Sequence, residues 1–482
     1  MITDFSGMAF NIFLSILSGI LSGLSFDFPS FSFLIWFSFS LLFYIFFKSK
    51  TPARYFFLAG VIFYSTVIFW LGFVTRLGTI LLIFYLSMYW AVFAYLGKRV
   101  PLKFTIFILP VLWVGIEFIR ENIPAFGFGW AILGYSQFKC LYLIQIADIL
   151  GAKSISFIII TINIIITFLW LKKRGVFSHI LYGVLLIGIC WGYSFYKLHL
   201  YKPSQFIDVT VIQPNIPQGL KWNHQIQPFI IKELFQLGKK AKGNSLIIYP
   251  EASWPGLLDI DNRDSFIEWA KDLNKDILIG AVIRENRKFY NSVLLLNRDG
   301  KIESIYRKIV LVPFGEYVPL RNILGFISVF NTFGDISRGK DVTIFNYRNN
   351  RFGVLICFED VFPSLVSNVS RNSDFLINIT NDAWFKGNPE AIQHLSIMVL
   401  RAIENRISIV RCANTGISGF VDFLGRGYYL KKDSQRVLIK GIKTVSVPLN
   451  RENTLYNKWG DIFFVFCFFL FLGYLYRRKY EK

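Results

Sequence analysis

Long apolar runs before residue 200 and after residue 459, with a stretch of ordinary polarity between them, restrict this chain more than any other feature. A helix that crosses a bilayer needs about 20 mostly apolar residues, because the hydrocarbon offers no water to satisfy a bare backbone. Candidate runs lie at 8–24, 31–47, 55–73, 79–96, 104–119, 155–171, 179–198 and 460–476. They predict an α-helical transmembrane bundle of seven helices in 1–202, and a last transmembrane helix with a basic tail in 459–482. The middle, 203–458, reads as a globular domain. At 54% hydrophobic and 18% aromatic, the chain exceeds the apolar content of a soluble protein, and the excess sits in those runs. The first run is not a cleaved signal peptide, since it has no basic leader and the next run follows at once.

The basic residues set an orientation. With the N-terminus in the cytoplasm, the cytoplasmic loops and tail hold Lys48, Lys50, Arg54, Lys98, Arg99, Lys103, Lys172, Lys173, Arg174, Arg477, Arg478, Lys479 and Lys482. The short outer loops hold Arg76, Arg120, Lys139 and Lys153. Positive charge is retained on the cytoplasmic side, so 203–458 is expected outside the cytoplasm. The same clustering accounts for much of the net charge of +21, and no recognition motif points to nucleic acid. The segment 120–154 is too long for a simple connector. Its Gly and aromatic residues, Phe126-Gly127-Phe128-Gly129-Trp130 among them, suggest either an interfacial, partly re-entrant loop or a plain surface loop.

From Asp208 the periodicity changes. Short β-rich runs at 208–213, 245–249, 277–283, 290–297, 302–306, 342–347, 352–357, 374–379, 408–413 and 417–423 alternate with helical stretches at about 224–241, 263–274, 362–371 and 389–406. Asn297-Arg298-Asp299-Gly300 marks a hairpin. The alternation predicts an α/β domain with sheets covered by helices. Five cysteines, an odd number with no CxxC pair, argue against a disulfide scaffold or a zinc site. Cys190 and Cys467 lie in apolar runs and read as small hydrophobes.

Three stretches of this domain carry chemistry. SLIIYPEASWP places Glu251 just past a buried strand, YRKIVLVPFGEYVP carries Lys308 and Glu316, and FGVLICFEDVFP ends a strand at Cys357 ahead of Phe358, Glu359 and Asp360. Alone, each has an ordinary reading: a core cysteine, a capping glutamate, a solvated lysine. Together they stand at strand ends of one α/β domain, where sites are built. Only a thiolate attacks an acyl carbon well. A carboxylate within hydrogen-bond reach can take the thiol proton. A lysine ammonium, with the N–H of Phe358, can stabilise the oxyanion that follows. The chemistry calls for no metal and no cofactor.

These residues resemble the Glu, Lys, Cys set of the carbon–nitrogen hydrolase (nitrilase) superfamily. The whole chain resembles the bacterial apolipoprotein N-acyltransferase family, through GLKWN, YPEASWP, FYNSVLLLNRDGK, YRKIVLVPFGEYVPLR, ICFED, NDAWF at 381–385, the run from His394 to Gly416, and EFIREN, FGFGW and LGYSQ in the membrane part. The resemblance implies a nitrilase-like αββα sandwich, with Glu251 as base, Lys308 as stabilising cation and Cys357 as acylated nucleophile. It implies that Glu316 and Glu359 support the site and that Trp222 lies on a loop governing substrate access. Phe358 stands where the family commonly has Tyr, and Gly151-Ala152-Lys153 departs from its Gly-x-Tyr pattern.

The reaction so implied is ping-pong acyl transfer at the cytoplasmic (inner) membrane. A membrane phospholipid, with phosphatidylethanolamine the first candidate, would acylate Cys357 and leave as the lysophospholipid. The amino group of a diacylglyceryl-modified N-terminal cysteine on an apolipoprotein would then take the acyl chain. Two rivals stand beside this reading. One is a membrane-anchored amidase or nitrilase acting on a small amide, for which seven preceding helices are more than an anchor needs. The other is a transporter or receptor with an inactive domain. It would carry intramembrane charge along a pathway, for which Glu117 is the main candidate.

Overall fold

Every one of the long apolar runs folds as helix, as it must where the backbone has to satisfy itself. The computed structural model describes residues 2–124, 126–259, 262–313, 315–317, 336–387, 389–450 and 452–480. Phe314 and the end of the YRKIVLVPFGEYVPLR stretch from residue 318, together with Lys482, lie outside the described residues. The chain divides into two compact units, one of Met1–Tyr201 with Thr454–Lys482 and the other of Lys202–Asn453.

In the first unit the main helices are α1 (Ile2–Asp27), α2 (Ile35–Lys48), α3 (Ala53–Val67), α4 (Arg76–Gly97) and α5 (Thr105–Asn122). After two short helices, α6 (Leu141–Ile144) and α7 (Ala147–Leu150), come α8 (Lys153–Trp170) and α9 (Val176–Leu200). Six segments are long and apolar enough to cross a membrane: Gly7–Asp27, Pro29–Lys48, Arg76–Gly97, Leu102–Asn122, Lys153–Trp170 and Val176–Leu200. Ala53–Val67 and Ile462–Gly473 are shorter apolar helices. The first of these is continued by a 3-10 helix, Phe69–Phe73, so the run at 55–73 is not one uniform α-helix. Aromatic side chains fill the interior, with Phe39 and Phe93 each set edge-on to Trp113 at 5.0 Å between centroids. Gly23 lets α1 approach α3, since a Cβ there would lie 1.8 Å from Thr66 Oγ1.

The 120–154 segment is built into this unit rather than draped over it. Glu117 accepts from Trp113 Nε1 at 3.0 Å and from the N–H of Leu133 at 2.9 Å, and Arg120 donates to the Trp130 carbonyl at 2.8 Å. Glu117 is thus occupied in fixing the returning chain. Lys153, at the position that departs from the family pattern, is buried between Glu121 at 2.5 Å and Asp461 at 2.8 Å.

The second unit is a sandwich of two sheets. One runs β13-β1-β2-β4-β5-β6, with β3 also paired to β4; the other runs β12-β11-β10-β9-β8-β7. The strands are β1 (Gln205–Gln213), β2 (Leu246–Ile248), β3 (Leu257–Leu258), β4 (Ile277–Glu285), β5 (Lys288–Leu296), β6 (Ile302–Arg307), β7 (Ile344–Tyr347), β8 (Asn350–Ile356), β9 (Phe375–Thr380), β10 (Ile409–Ala413), β11 (Gly419–Val421), β12 (Gly427–Tyr429) and β13 (Gly441–Leu449). Between the sheets lies an apolar core that includes Val209, Ile248, Val293, Phe352, Ile377 and Val410. Helices α10 (Gln227–Lys239) and α11 (Arg263–Leu273) bury Leu234, Leu237, Phe266 and Trp269 against the outer face of the first sheet. Helices α12 (Pro363–Ser370) and α13 (Glu390–Asn405) belong to the second sheet's side. The layering is α, β, β, α, as expected for a nitrilase-like domain. Asn297–Gly300 is the hairpin between β5 and β6, with Gly300 at φ +76°.

Candidate active site

The three sequence-marked residues follow the ends of β2, β6 and β8. After β2 the chain turns sharply through Pro250, Glu251 and Ala252, the last at φ +46°. The turn sits directly on β4, where Gly280 makes room: a Cβ there would lie 2.5 Å from the Pro250 carbonyl and 2.8 Å from the Glu251 Cα. The N–H groups of Ser253 and Trp254 both reach the Gly280 carbonyl, at 2.8 and 3.1 Å. Glu251 is thereby fixed by backbone, with its carboxylate left to the site.

Lys308 follows β6 directly, and its N–H reaches the Asn291 carbonyl at 2.8 Å. Its side chain is only 1% exposed and lies between two carboxylates. Nζ is 3.0 and 2.9 Å from the two Glu316 oxygens and 3.6 Å from Glu251 Oε1. The Asn291 amide joins the same group, donating to Glu251 at 2.7 Å and to Glu316 at 3.0 Å. Burial disfavours the ammonium, but Glu316 and Glu251 outweigh it and hold Lys308 above its ordinary value. The cation is permanent across the working range.

Cys357 opens a 3-10 turn, Cys357–Val361, at the end of β8, with φ +51°. A non-glycine residue in that region is strained and persists only where its surroundings fix it. Glu359 supplies one clamp. Its fully buried carboxylate accepts from the N–H groups of Ile309 at 2.7 Å, Val310 at 3.0 Å and Ile356 at 2.8 Å, and from the Tyr306 hydroxyl at 2.9 Å. It therefore ties the segment after Lys308 to the cysteine turn. Burial pushes Glu359 up to about 7 against the pull of those N–H groups. Burial, reinforced by the Glu251 carboxylate, also pushes the Cys357 thiol well above its ordinary value, and Lys308 opposes the rise. A thiol so placed is protonated at rest and needs a base.

Glu251, Lys308, Glu316 and Asn291 are therefore joined to one another, while Glu359 ties the backbone after Lys308 to the cysteine turn. Phe358 is half-buried and stacks edge-on against Phe362 at 5.2 Å. Trp222 stands apart, 48% exposed on a turn after Gln218–Leu220. Two further residues of the site carry no individual sequence signal. Asn291 lies inside an apolar strand. Lys221, 2% exposed beside Trp222, reaches the Glu251 carbonyl at 3.4 Å. Its burial, only partly offset by Glu251, lowers it to about 8. A third group, Asp360, Asp382, Glu390, His394 and Arg411, lies buried behind the cysteine. Asp382, Glu390 and His394 are close enough to hold an ion. Arg411 already supplies positive charge there, 3.1 Å from Asp382 Oδ2 and 2.8 Å from His394 Nδ1.

Two family descriptions match this chain: the Apolipoprotein N-acyltransferase N-terminal domain over residues 18–165 and Carbon-nitrogen hydrolase over residues 208–437. A protein of Geobacter metallireducens named apolipoprotein N-acyltransferase is 34% identical, with 94% of this chain and 92% of that protein aligned. This chain belongs to the apolipoprotein N-acyltransferase family. Members from Aquifex aeolicus and Rickettsia prowazekii are 32% and 30% identical, covering 72% and 85% of this chain and 78% and 87% of their own. A solved CN-hydrolase superfamily protein from Xanthomonas campestris is 18% identical, with a TM-score of 0.38 over 50% of this chain and 91% of that one. Family membership and the apolar helices together make this a multi-pass membrane acyltransferase with a nitrilase-like domain.

Proposed function

We propose that Cys357 carries an acyl chain from a membrane phospholipid to the N-terminal amino group of a diacylglyceryl-modified apolipoprotein. Glu251 accepts the thiol proton as Sγ attacks the ester carbonyl, and the oxyanion forms beside Lys308 and the Phe358 N–H. Collapse breaks the C–O bond. The departing glycerol oxygen takes the proton back from Glu251, and the lysophospholipid leaves a thioester. The amine then attacks the same carbon and gives a proton to Glu251. The C–S bond breaks, and Glu251 returns that proton to sulfur. The products are an amide and the free thiol. Nothing is oxidised, and every proton passes through one carboxylate.

The observation that carries this reading is the buried Lys308, held by both Glu316 oxygens at 2.9–3.0 Å and leaning on Glu251 at 3.6 Å. It supplies a permanent cation beside a protonated thiol and its base. The test is intact-mass and peptide analysis of the full chain incubated with phospholipid. A mass increase of one acyl group on Cys357, absent in Cys357→Ala and kept in Cys412→Ala, is expected. Acylation at another cysteine would refute the assignment.

The orientation belongs to the same proposal: eight crossings, both termini in the cytoplasm, and the domain on the extracytoplasmic side of the cytoplasmic membrane. Its support is the placement of basic residues. Reporter fusions after Lys202 and after Lys482 should give opposite signals; matching signals would overturn it.

A further inference from the structure

The NDAWF stretch and the run from His394 to Gly416 supply Asp382, His394 and Arg411, which with Asp360 and Glu390 form a group of five buried ionisable side chains behind Cys357, yet none of the five touches the reacting atoms in the mechanism above. Asp360, Asp382, Glu390, His394 and Arg411 are each 2% exposed or less. Arg411 donates to Asp382 at 3.1 Å and lies 2.8 Å from His394 Nδ1, and His394 Nε2 lies 2.8 Å from Asp360 Oδ1. Glu390 lies 3.4 Å from the same ring. Arg411 Nε, Asp360 Oδ2 and Glu390 Oε2 are buried without hydrogen-bond partners. Such a group is poor value for stability, because removing charges from water costs more than incomplete pairing returns. Its retention calls for another role.

Two contacts lead from the group to the nucleophile. Arg411 NH1 donates to Asn378 Oδ1 at 3.0 Å, and the Asn378 amide donates to the Cys357 carbonyl at 3.1 Å. Asp382, whose carboxylate charge the Cys357 thiol feels, accepts from the Thr380 hydroxyl at 2.8 Å. Asp360 itself lies on the cysteine turn. Space has been left for the arrangement, since a Cβ at Gly416 would sit 1.8 Å from Asp382 Oδ2. The strained residue is thus held at its carbonyl and along its turn by one assembly. Glu359 clamps it from the other side.

We propose that Arg411 is a positioning residue for acyl transfer, locking the positive-φ turn of Cys357 through Asn378. Arg411→Lys keeps the charge but loses the planar fork that serves Asn378, Asp382 and His394 together. Asn378→Ala removes the relay alone. Because both act along one path, their effects should not multiply.

The readout is the rate of iodoacetamide alkylation of the Cys357 peptide in the full-length, detergent-solubilised chain. Each single substitution should slow alkylation about tenfold, roughly one pK unit's worth of reactivity, and the double about as much as the slower single. An independent pair would give about a hundredfold loss, and that product would overturn the relay. A purely structural role would lower the melting temperature and leave the alkylation rate of the folded protein unchanged, which also overturns it. If Arg411→Lys does not fold, Asn378→Ala alone carries the test: alkylation slowed at an unchanged melting temperature supports the relay, and an unchanged alkylation rate overturns it. In single-turnover acylation by phospholipid the same variants should lose kcat with KM held. This last arm rests on the acyl-transfer reading and the alkylation cycle does not, so failure of one is separable from failure of the other.

Discussion

Replacing Glu251 with Gln should move two rates at Cys357 in opposite directions. Gln keeps the size and can still accept from Asn291, whose amide now reaches Glu251 at 2.7 Å. It cannot take a proton, and it removes the carboxylate that, after burial, does most to hold the thiol up. Lys308 then faces Glu316 and the thiol alone. A unit charge at about 4–6 Å in a partly shielded protein site is worth about 3–4 kcal/mol. Allowing for relaxation, the thiol should fall by about one to two pK units. Below its pKa the thiolate fraction then rises about 10- to 100-fold. A more acidic thiolate is a weaker nucleophile, so the net gain in alkylation by iodoacetamide near pH 8 should be about 3- to 10-fold. Single-turnover acylation by phospholipid should instead fall by about 10²–10⁴, the usual loss on removing a general base. Raising the pH from about 7 to 9.5 should recover part of that loss, since thiolate then forms unaided. Alkylation that falls in step with acylation would mean that Glu251 merely holds the site together, and the assignment of the base would be wrong.

Lys308→Met should slow both half-reactions by about 10²–10³, the loss typical of one oxyanion donor, with no recovery at high pH. It should also destabilise the domain by about 3–5 kcal/mol, because Glu251 and Glu316 are left facing each other in a buried site; matched rates of acylation and amine transfer in the folded variant are the check. Lys221→Met should raise the melting temperature near pH 7. Folding holds Lys221 down to about 8, so between that value and the unfolded value the unfolded chain binds the extra proton and stability rises with pH. The advantage of the Met variant over wild type should therefore shrink between pH 8 and about 10.5, and an advantage independent of pH would show that this lysine is not buried as a strained cation.

Much of this was readable because chemistry and backbone coincide at strand ends. Glu251 and Cys357 each follow a short apolar run and Lys308 a β-rich one, so an observer of the residues alone could place them at strand ends of one α/β domain. The structure adds the angle: Cys357 at φ +51° is a property no pattern announces. Strands β3, β12 and β13 escaped for a different reason. Gly441–Leu449 carries Lys443 and Pro448 and is only partly buried, yet it pairs with β1 along Gln205–Gln213 because it forms the sheet edge. Asn291 and Arg411 escaped because a polar residue inside an apolar strand looks like an exception until its partner, distant in sequence, is known. Asn291 meets Glu251 and Glu316 across 40 and 25 positions. The 55–73 run shows the reverse limit, since apolar content alone cannot say that the α-helix ends at Val67 and a 3-10 turn continues.

The unequal spacing about Lys308 bears on how one cation can serve both halves of the reaction. Its ammonium is 2.9–3.0 Å from Glu316 and 3.6 Å from Glu251. In the proposed mechanism Glu251 starts as the base and Cys357 as the neutral thiol. When the proton crosses, negative charge leaves Glu251 for sulfur, and then for the acyl oxygen as the tetrahedral centre forms. The longer contact, to Glu251, is the one whose attraction vanishes at that moment, while Glu316 keeps its charge and its hold. Glu316 is itself fixed by the N–H of Val312 at 2.8 Å. Lys308 is therefore released toward the new charge without leaving its seat, and it returns when Glu251 gives its proton to the departing oxygen or to sulfur. A single carboxylate beside the lysine could not do this, because neutralising it would leave a buried cation unpaired at the most demanding point of the reaction. The second glutamate keeps the cation buried, charged and in place while the first changes its protonation state in each half-reaction.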